Sequence, residues 1–211
     1  MMNLYYCPYA CSMASHVALE EAGASFHAKK INIFTGDQKK SEYLAINPRA
    51  LVPALEFDNG QVLLESTAIL GWIGHAYPEK ALLGSSPLEH ALTISMCAWL
   101  SGTVHTTFKR FIHPEDVNAD KDTWTGIKTK ARDSYWGHLK EIDAKLANQP
   151  WIMGDRFTLA DPYVLVFYPW CRDLDLPIEE LTNLAAMKDR LVARPAAHRA
   201  LAREKSVLLK M

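Results

Sequence analysis

The sequence predicts an α/β domain followed by an all-helical one, and three observations carry that prediction. Up to Tyr77, strand-like alternation and helix-like periodicity interleave in the order β-α-β-α-β-β-α. Asp58-Asn59-Gly60, set between two apolar runs, signals a hairpin turn, so the last two strands are antiparallel neighbours. Beyond Pro87 every long segment spaces its apolar residues at helical intervals.

Asn3–Cys7 reads as the first strand and Pro8–Ala10 as its connecting loop. Ser12 is suited to cap a helix running to Ala22, with Met13, Val17 and Leu19 inward, Glu20 and Glu21 on the wet face, and Gly23 as the stop. Phe26–Ile33 alternates like a strand, Gly36–Glu42 is a polar loop, and Tyr43–Ile46 adds a helical turn before Asn47-Pro48. Val52–Phe57 alternates only loosely, as a strand buried on both faces does, and Gln61–Leu64 returns beside it. Glu65-Ser66-Thr67 then opens a helix carrying Ile69, Leu70, Trp72 and Ile73. A parallel half closed by an antiparallel hairpin is the thioredoxin-like order.

Tyr77-Pro78 and Gly84–Pro87 interrupt the pattern, placing a boundary in Lys80–Ser86 between units at 1–80 and 87–211. Leu88–Phe111 (Leu92, Met96, Trp99, Val104) and Thr123–Asn148 (Ile127, Tyr135, Leu139, Ile142, Leu146) read as amphipathic helices. Leu159–Cys171 is apolar nearly all round and is expected as the central buried helix. Its start, Thr158 to Asp161, has the form of a capping box with Asp in the last place, and Pro162 follows in the first turn. Leu181–Ala193 and Pro195–Lys205 complete the helical set.

Composition narrows the class. With 211 residues, 49% hydrophobic and 22% charged, the chain resembles an ordinary soluble globular protein. A net charge of -1 argues against a nucleic-acid partner, whose phosphates need a basic surface. No apolar run reaches the length of a membrane span, and no signal peptide is visible at the start, so neither a membrane nor export is expected. Cys7, Cys11, Cys97 and Cys171 do not form a secreted disulfide framework, which points to a reducing cytoplasm. His90, His113 and His138 lack metal-ligand spacing, and no metal is expected.

The stretch from Leu44 to Thr67 carries two features that suit a ligand. Pro53 cannot donate to a sheet ladder and belongs at a turn or strand end. If its peptide bond is cis, Val52 turns its N–H and C=O outward, free to pair with an extended peptide. The free N–H groups of a helix starting at Ser66-Thr67 suit a carboxylate, and Glu65 beside them can hold an amino group. A short peptide with a free α-amino-carboxylate end fits both, while a strand, turn and cap that only build the fold remain the alternative.

Tyr5–Leu19, Tyr43–Pro48, Val52–Leu55, Glu65–Ser66 and Gly154–Asp161 together resemble the cytosolic glutathione transferases, most closely the bacterial beta class, over nearly the whole chain. The resemblance implies the glutathione transferase fold and a detoxifying transferase with glutathione as co-substrate. It also implies a homodimer, the first domain of one subunit against the second domain of its partner. By position it implies that Val52 pairs with the cysteinyl part of glutathione, that Pro53 is the family's cis-proline, and that Glu65 and Ser66 hold the γ-glutamyl end. Cys11 falls beside the glutathione sulfur, and His105 matches a histidine facing the site. Thr106 and Gly36 stand where relatives often carry lysine, Leu51 replaces a polar residue, and Cys7 is an additional thiol. Two missing cations are expected to weaken attraction for an anionic tripeptide.

A transferase needs a thiolate, because the thiol is a poor nucleophile. Cys11 lies near a helix start and is expected to have a lowered pKa, unlike Cys7, while Ser12 is placed to donate to the glutathione sulfur. The reaction is then thiolate attack on an electrophilic carbon, or exchange with a disulfide. A hydrophobic electrophile is expected between the domains, near His105, Phe108, Phe111 and Trp170. Two other readings stay open: a non-catalytic binding or regulatory member of the fold, and a glutaredoxin-like oxidoreductase using Cys7 and Cys11. The latter has C-x-x-x-C spacing in place of C-x-x-C.

Overall fold

The computed structural model describes residues 1–211. Four strands, β1 (Met2–Tyr6), β2 (Phe26–Lys30), β3 (Ala54–Glu56) and β4 (Val62–Leu64), form one sheet in the order β2-β1-β3-β4. β1 runs parallel to β2 and antiparallel to β3, with Leu4 opposite Leu55, and β4 returns along β3. Period-two alternation splits β1 between two faces. Leu4 and Tyr6 enter the main core, whereas Tyr5 packs with Tyr43 and Ala54 on the opposite face. Gly60 takes the hairpin's positive φ of 80°.

Helix α1 (Ser12–Ala22) ends at Gly23, whose left-handed backbone (φ 69°) closes the last turn. Nearly all of α1 is buried. Glu20 and Glu21, expected on a wet face, are covered by the C-terminal helix. Arg194 forks onto Glu21 at 2.7 and 2.8 Å, and Arg199 meets Glu20 at 2.8 Å. His16, completely buried, is 2.7 Å from the Glu204 carboxylate. A sequence window around α1 sees acidic residues and reads solvent; their true partners lie far along the chain.

Helix α2 (Ser41–Leu44) and helix α3 (Ser66–Ala76) complete the sheet domain. The segment expected as a linker is packed. Leu82 and Leu83 are buried, the Leu82 carbonyl accepts from the Leu159 N–H at 2.9 Å, and the Leu83 carbonyl accepts from the Thr93 hydroxyl at 2.9 Å. A Cβ at Gly74 would overlap Leu83, so glycine is what allows α3 to approach this segment.

No strand follows β4. Helix α4 (Pro87–Trp99) begins with a full capping box between Ser86 and Glu89. The single helix expected over Leu88–Phe111 is interrupted by a π-helical turn at Leu100–Val104 before α5 (His105–Ile112). The wider turn shifts the helix's angular phase, and Leu100 and Val104 both reach the core. Helix α6 (Trp124–Lys145) follows.

The buried helix expected at Leu159–Cys171 is shorter: α7 covers Ala160–Phe167 and gives way to a 3-10 turn over Pro169–Leu174. Pro169 has no N–H and its ring opposes the preceding carbonyl, so the α-helix stops there. Helices α8 (Thr182–Val192) and α9 (Pro195–Glu204) end the bundle. One contiguous core of 43 buried residues runs from Leu4 to Leu208 through both the sheet and the bundle.

Asp161 holds the approach to α7. Its carboxylate accepts from the Ile152 N–H at 2.8 Å and the Thr158 N–H at 2.7 Å, with the Thr158 hydroxyl at 3.3 Å. All three are buried, so Asp161→Ala strands donors at about 1–3 kcal/mol each. Urea unfolding is expected to show a loss of a few kcal/mol, on the order of the two stranded amides together; wild-type stability in the variant would show that these bonds contribute nothing.

Candidate functional site

The site starts from the loop between β1 and α1. Ser12 closes that loop: its hydroxyl accepts from the Cys7 N–H at 3.0 Å and donates to the Cys7 carbonyl at 3.1 Å. This corrects two expectations. Ser12 is the first helical residue, with Cys11 in the cap position, and its fully buried hydroxyl is committed to Cys7 and so is not free for a ligand sulfur.

The Cys11 thiol, 9% exposed, donates to the Val52 carbonyl at 3.5 Å. Its pKa is pushed up to about 11, the reverse of the expected depression. Burial dominates; the Ser66 hydroxyl and the backbone N–H groups of Cys11 and Ser12 pull the other way and lose. Burial also raises the Cys7 thiol, which donates to the Pro8 carbonyl at 3.4 Å.

The Val52–Pro53 peptide is cis. Just before it, the Leu51 carbonyl accepts from the Tyr43 hydroxyl at 2.6 Å and the Asn47 amide at 2.8 Å. The Val52 N–H has no partner within the chain.

Glu65 precedes α3 with a left-handed φ of 71°, unusual outside glycine, and its carboxylate is exposed. Ser66 is buried as the first residue of α3, which has no side-chain cap. The N–H groups of Ser66, Thr67 and Ala68 therefore have no partner within the chain. Cys11, Val52 and Ser66, drawn from three separate segments, thus meet in one place.

His105 opens α5 beside an aromatic group: its ring lies 5.2 Å from Trp170 and 6.1 Å from Phe167. Phe108 stacks on Trp170 with 4.3 Å between centroids. Burial, helped by Lys109, pushes the His105 pKa down to about 4, so the ring is neutral at pH 7.

Several participants escaped the sequence reading. Tyr163 on α7 lies near Ser66 and Ser101 without a hydrogen bond to either, and Thr67 is 3.2 Å from both Ser101 Oγ and the Cys97 carbonyl. The Thr67–Ser101 pair ties the start of α3 to the π-turn, with Tyr163 packed beside it; nothing local distinguishes Tyr163 from a core aromatic. Arg49 is a cation at the site, 3.2 Å from Glu65. Gly36 has φ 83°, a backbone that lysine rarely adopts, and the Thr106 hydroxyl turns back onto the Ser101 carbonyl. Two surface cavities, of about 470 and 320 Å³, lie elsewhere on the helical domain, around Arg110 and Lys130 and around Leu92 and Trp99.

Comparison with known proteins gives the site its context. Residues 6–76 match the glutathione S-transferase N-terminal domain and residues 128–195 the C-terminal domain. The chain is 31% identical to glutathione S-transferase GstA of Escherichia coli O157:H7, over 96% of this chain and 98% of that one. A sphingomonad glutathione S-transferase solved in complex with glutathione superposes with a TM-score of 0.83 at 30% identity, covering 96% of this chain and 98% of that one. The bacterial beta class enzyme of Sphingomonas chungbukensis gives 0.82 at 30% identity with the same coverage. On these matches, and with the sheet, bundle and site in this arrangement, the chain belongs to the glutathione S-transferase family.

Proposed function

We propose that this glutathione S-transferase binds glutathione along Val52, Glu65 and Ser66 and passes its thiolate to a hydrophobic electrophile, or exchanges it with a disulfide. The units are the glutathione-binding domain at 1–80 and the helical domain at 87–211. The observation that carries the reading is the convergence of the Cys11 thiol, the Val52 backbone and the uncapped start of α3. The unpartnered N–H groups and the Ser66 hydroxyl receive the γ-glutamyl carboxylate, Glu65 its ammonium, and the Val52 N–H and C=O the cysteinyl residue. Arg49, paired with Glu65, supplies positive charge for the anionic tripeptide, where Gly36 and Thr106 bring none.

In this reading the nucleophile is glutathione's own sulfur. Cys11, held protonated by burial, turns its S–H from its long 3.5 Å contact with the Val52 carbonyl to the developing thiolate rather than attacking. The sulfur then forms a bond to the electrophilic carbon as the leaving group departs, or to one sulfur of a disulfide as the other leaves as thiolate. His105, neutral at pH 7, contributes a hydrogen-bonding ring edge and no cation. Phe108 and His105, partly exposed and backed by the buried Trp170, offer the electrophile an aromatic wall. A Cys7–Cys11 oxidoreductase needs a thiol of lowered pKa, and burial raises both.

The four unpaired cysteines suit a reducing cytoplasm, and no helix is long and apolar enough to cross a membrane. Exposed Leu51, Leu88 and Leu92 supply apolar surface for a homodimer.

Glu65→Gln and Ser66→Ala are each expected to weaken glutathione binding by about 1.5–3 kcal/mol in calorimetry, the loss of one charge-assisted bond; wild-type affinity in both would place the peptide end elsewhere. Alkylation of Cys11 by iodoacetamide is expected to be slow at pH 7 and to rise tenfold per pH unit towards its pKa of about 11. A rate that levels off near pH 7 would contradict the neutral-donor role. Light scattering is expected to give twice the 23.7 kDa of one chain.

A further inference from the structure

Tyr9 lies in the loop between Cys7 and Cys11 and has a left-handed backbone, φ 65°. For a bulky residue that conformation is unfavourable and persists only where surrounding contacts hold it. Those contacts come from the other domain. The Tyr9 hydroxyl is 3.0 Å from the Asp173 carboxylate and 3.2 Å from the Pro169 carbonyl, and the Tyr9 carbonyl accepts from the Trp170 indole N–H at 3.1 Å. All three partners belong to the 3-10 turn Pro169–Leu174. No other residue of the sheet domain hydrogen-bonds to that turn. Trp170 in turn stacks on Phe108 and touches His105, while Cys11 is two residues beyond Tyr9.

We propose that Tyr9, locked by Asp173, is a positioning and specificity-determining residue: it sets the aromatic wall of Phe108, Trp170 and His105 against the Cys11 thiol and so defines the electrophile site. This rests on the reading of that wall as the electrophile's surface. The geometry separates the two ligands. Glutathione meets Val52, Glu65 and Ser66, to which Tyr9 makes no hydrogen bond, whereas the electrophile meets the partly exposed Phe108 and His105, which rest on the buried Trp170 whose indole N–H ends on the Tyr9 carbonyl. Release of the phenol frees the strained backbone to relax, which takes the acceptor away from Trp170 and lets the wall drift from the sulfur. Asp173, exposed and without an ion pair, has the Tyr9 hydroxyl as its side-chain partner.

The test uses Tyr9→Phe and Asp173→Asn with two probes, glutathione and S-(2,4-dinitrophenyl)glutathione, whose aryl group stands for the bound electrophile. Asp173→Asn is a surface change that leaves the core intact. Calorimetry is expected to show each variant losing about five- to tenfold in affinity for the conjugate, the scale of one ordinary hydrogen bond, because the Tyr9–Asp173 contact is exposed to water. Glutathione affinity stays within about twofold of wild type, and the double variant is no worse than either single one. A merely structural pin lowers melting temperature without separating the ligands. Equal losses for both ligands, or wild-type affinity for the conjugate in both variants, overturn the role of Tyr9 while the glutathione site stands. A wild-type protein that binds neither probe overturns the glutathione site itself, and this inference with it.

Discussion

The structure depends on the burial of α1. It carries the Cys11 thiol at its start, packs against the sheet, and is covered by α3, α7 and α9, so it belongs to both domains at once. Burying a helix that contains His16, Glu20 and Glu21 requires partners for them, and α9 supplies those with Glu204, Arg199 and Arg194. Pairs of this kind contribute little net stability, because desolvation offsets their attraction, yet removing one member is costly. Their effect is to set how the last helix sits on the first. The orientation of the two domains follows, and with it the position of the aromatic wall relative to the thiol.

Two departures from regular helix shape that wall. The π-turn at Leu100–Val104 changes the phase of the helix just before His105, and Pro169 ends α7 just before Trp170. Each brings a ring to a place that an uninterrupted helix would not reach, and the Phe108–Trp170 stack lies where the two departures meet. The same short turn accepts from the Tyr9 hydroxyl, at Pro169 and Asp173, and donates to the Tyr9 carbonyl from Trp170.

Electrostatically the site combines free backbone amides with a cation that is already paired. The start of α3 has free N–H groups, His105 is neutral, and Arg49 is already partnered by Glu65. The protein thiol is neutral as well, because burial outweighs its helix-start hydrogen bonds. A buried S–H suits a thiolate that arrives with a ligand and is a poor source of one on the protein.

Local pattern alone was enough for much of this. The end of α1 at Gly23, the Asp58–Gly60 hairpin, the helix opening at Ser66 and the all-helical second half are legible because periodicity, turn chemistry and caps act within a few residues. The glutathione transferase motifs were equally visible, each lying within a short window. The exposure of Glu20 and Glu21, the pKa of Cys11, the commitment of Ser12, and the parts played by Tyr163 and Tyr9 were not. Each depends on what lies across the fold: α9 over α1, the Val52 carbonyl over the thiol, a turn beyond Pro169 against the first loop. Burial and pairing are properties of distant neighbours, and a sequence window contains only near ones.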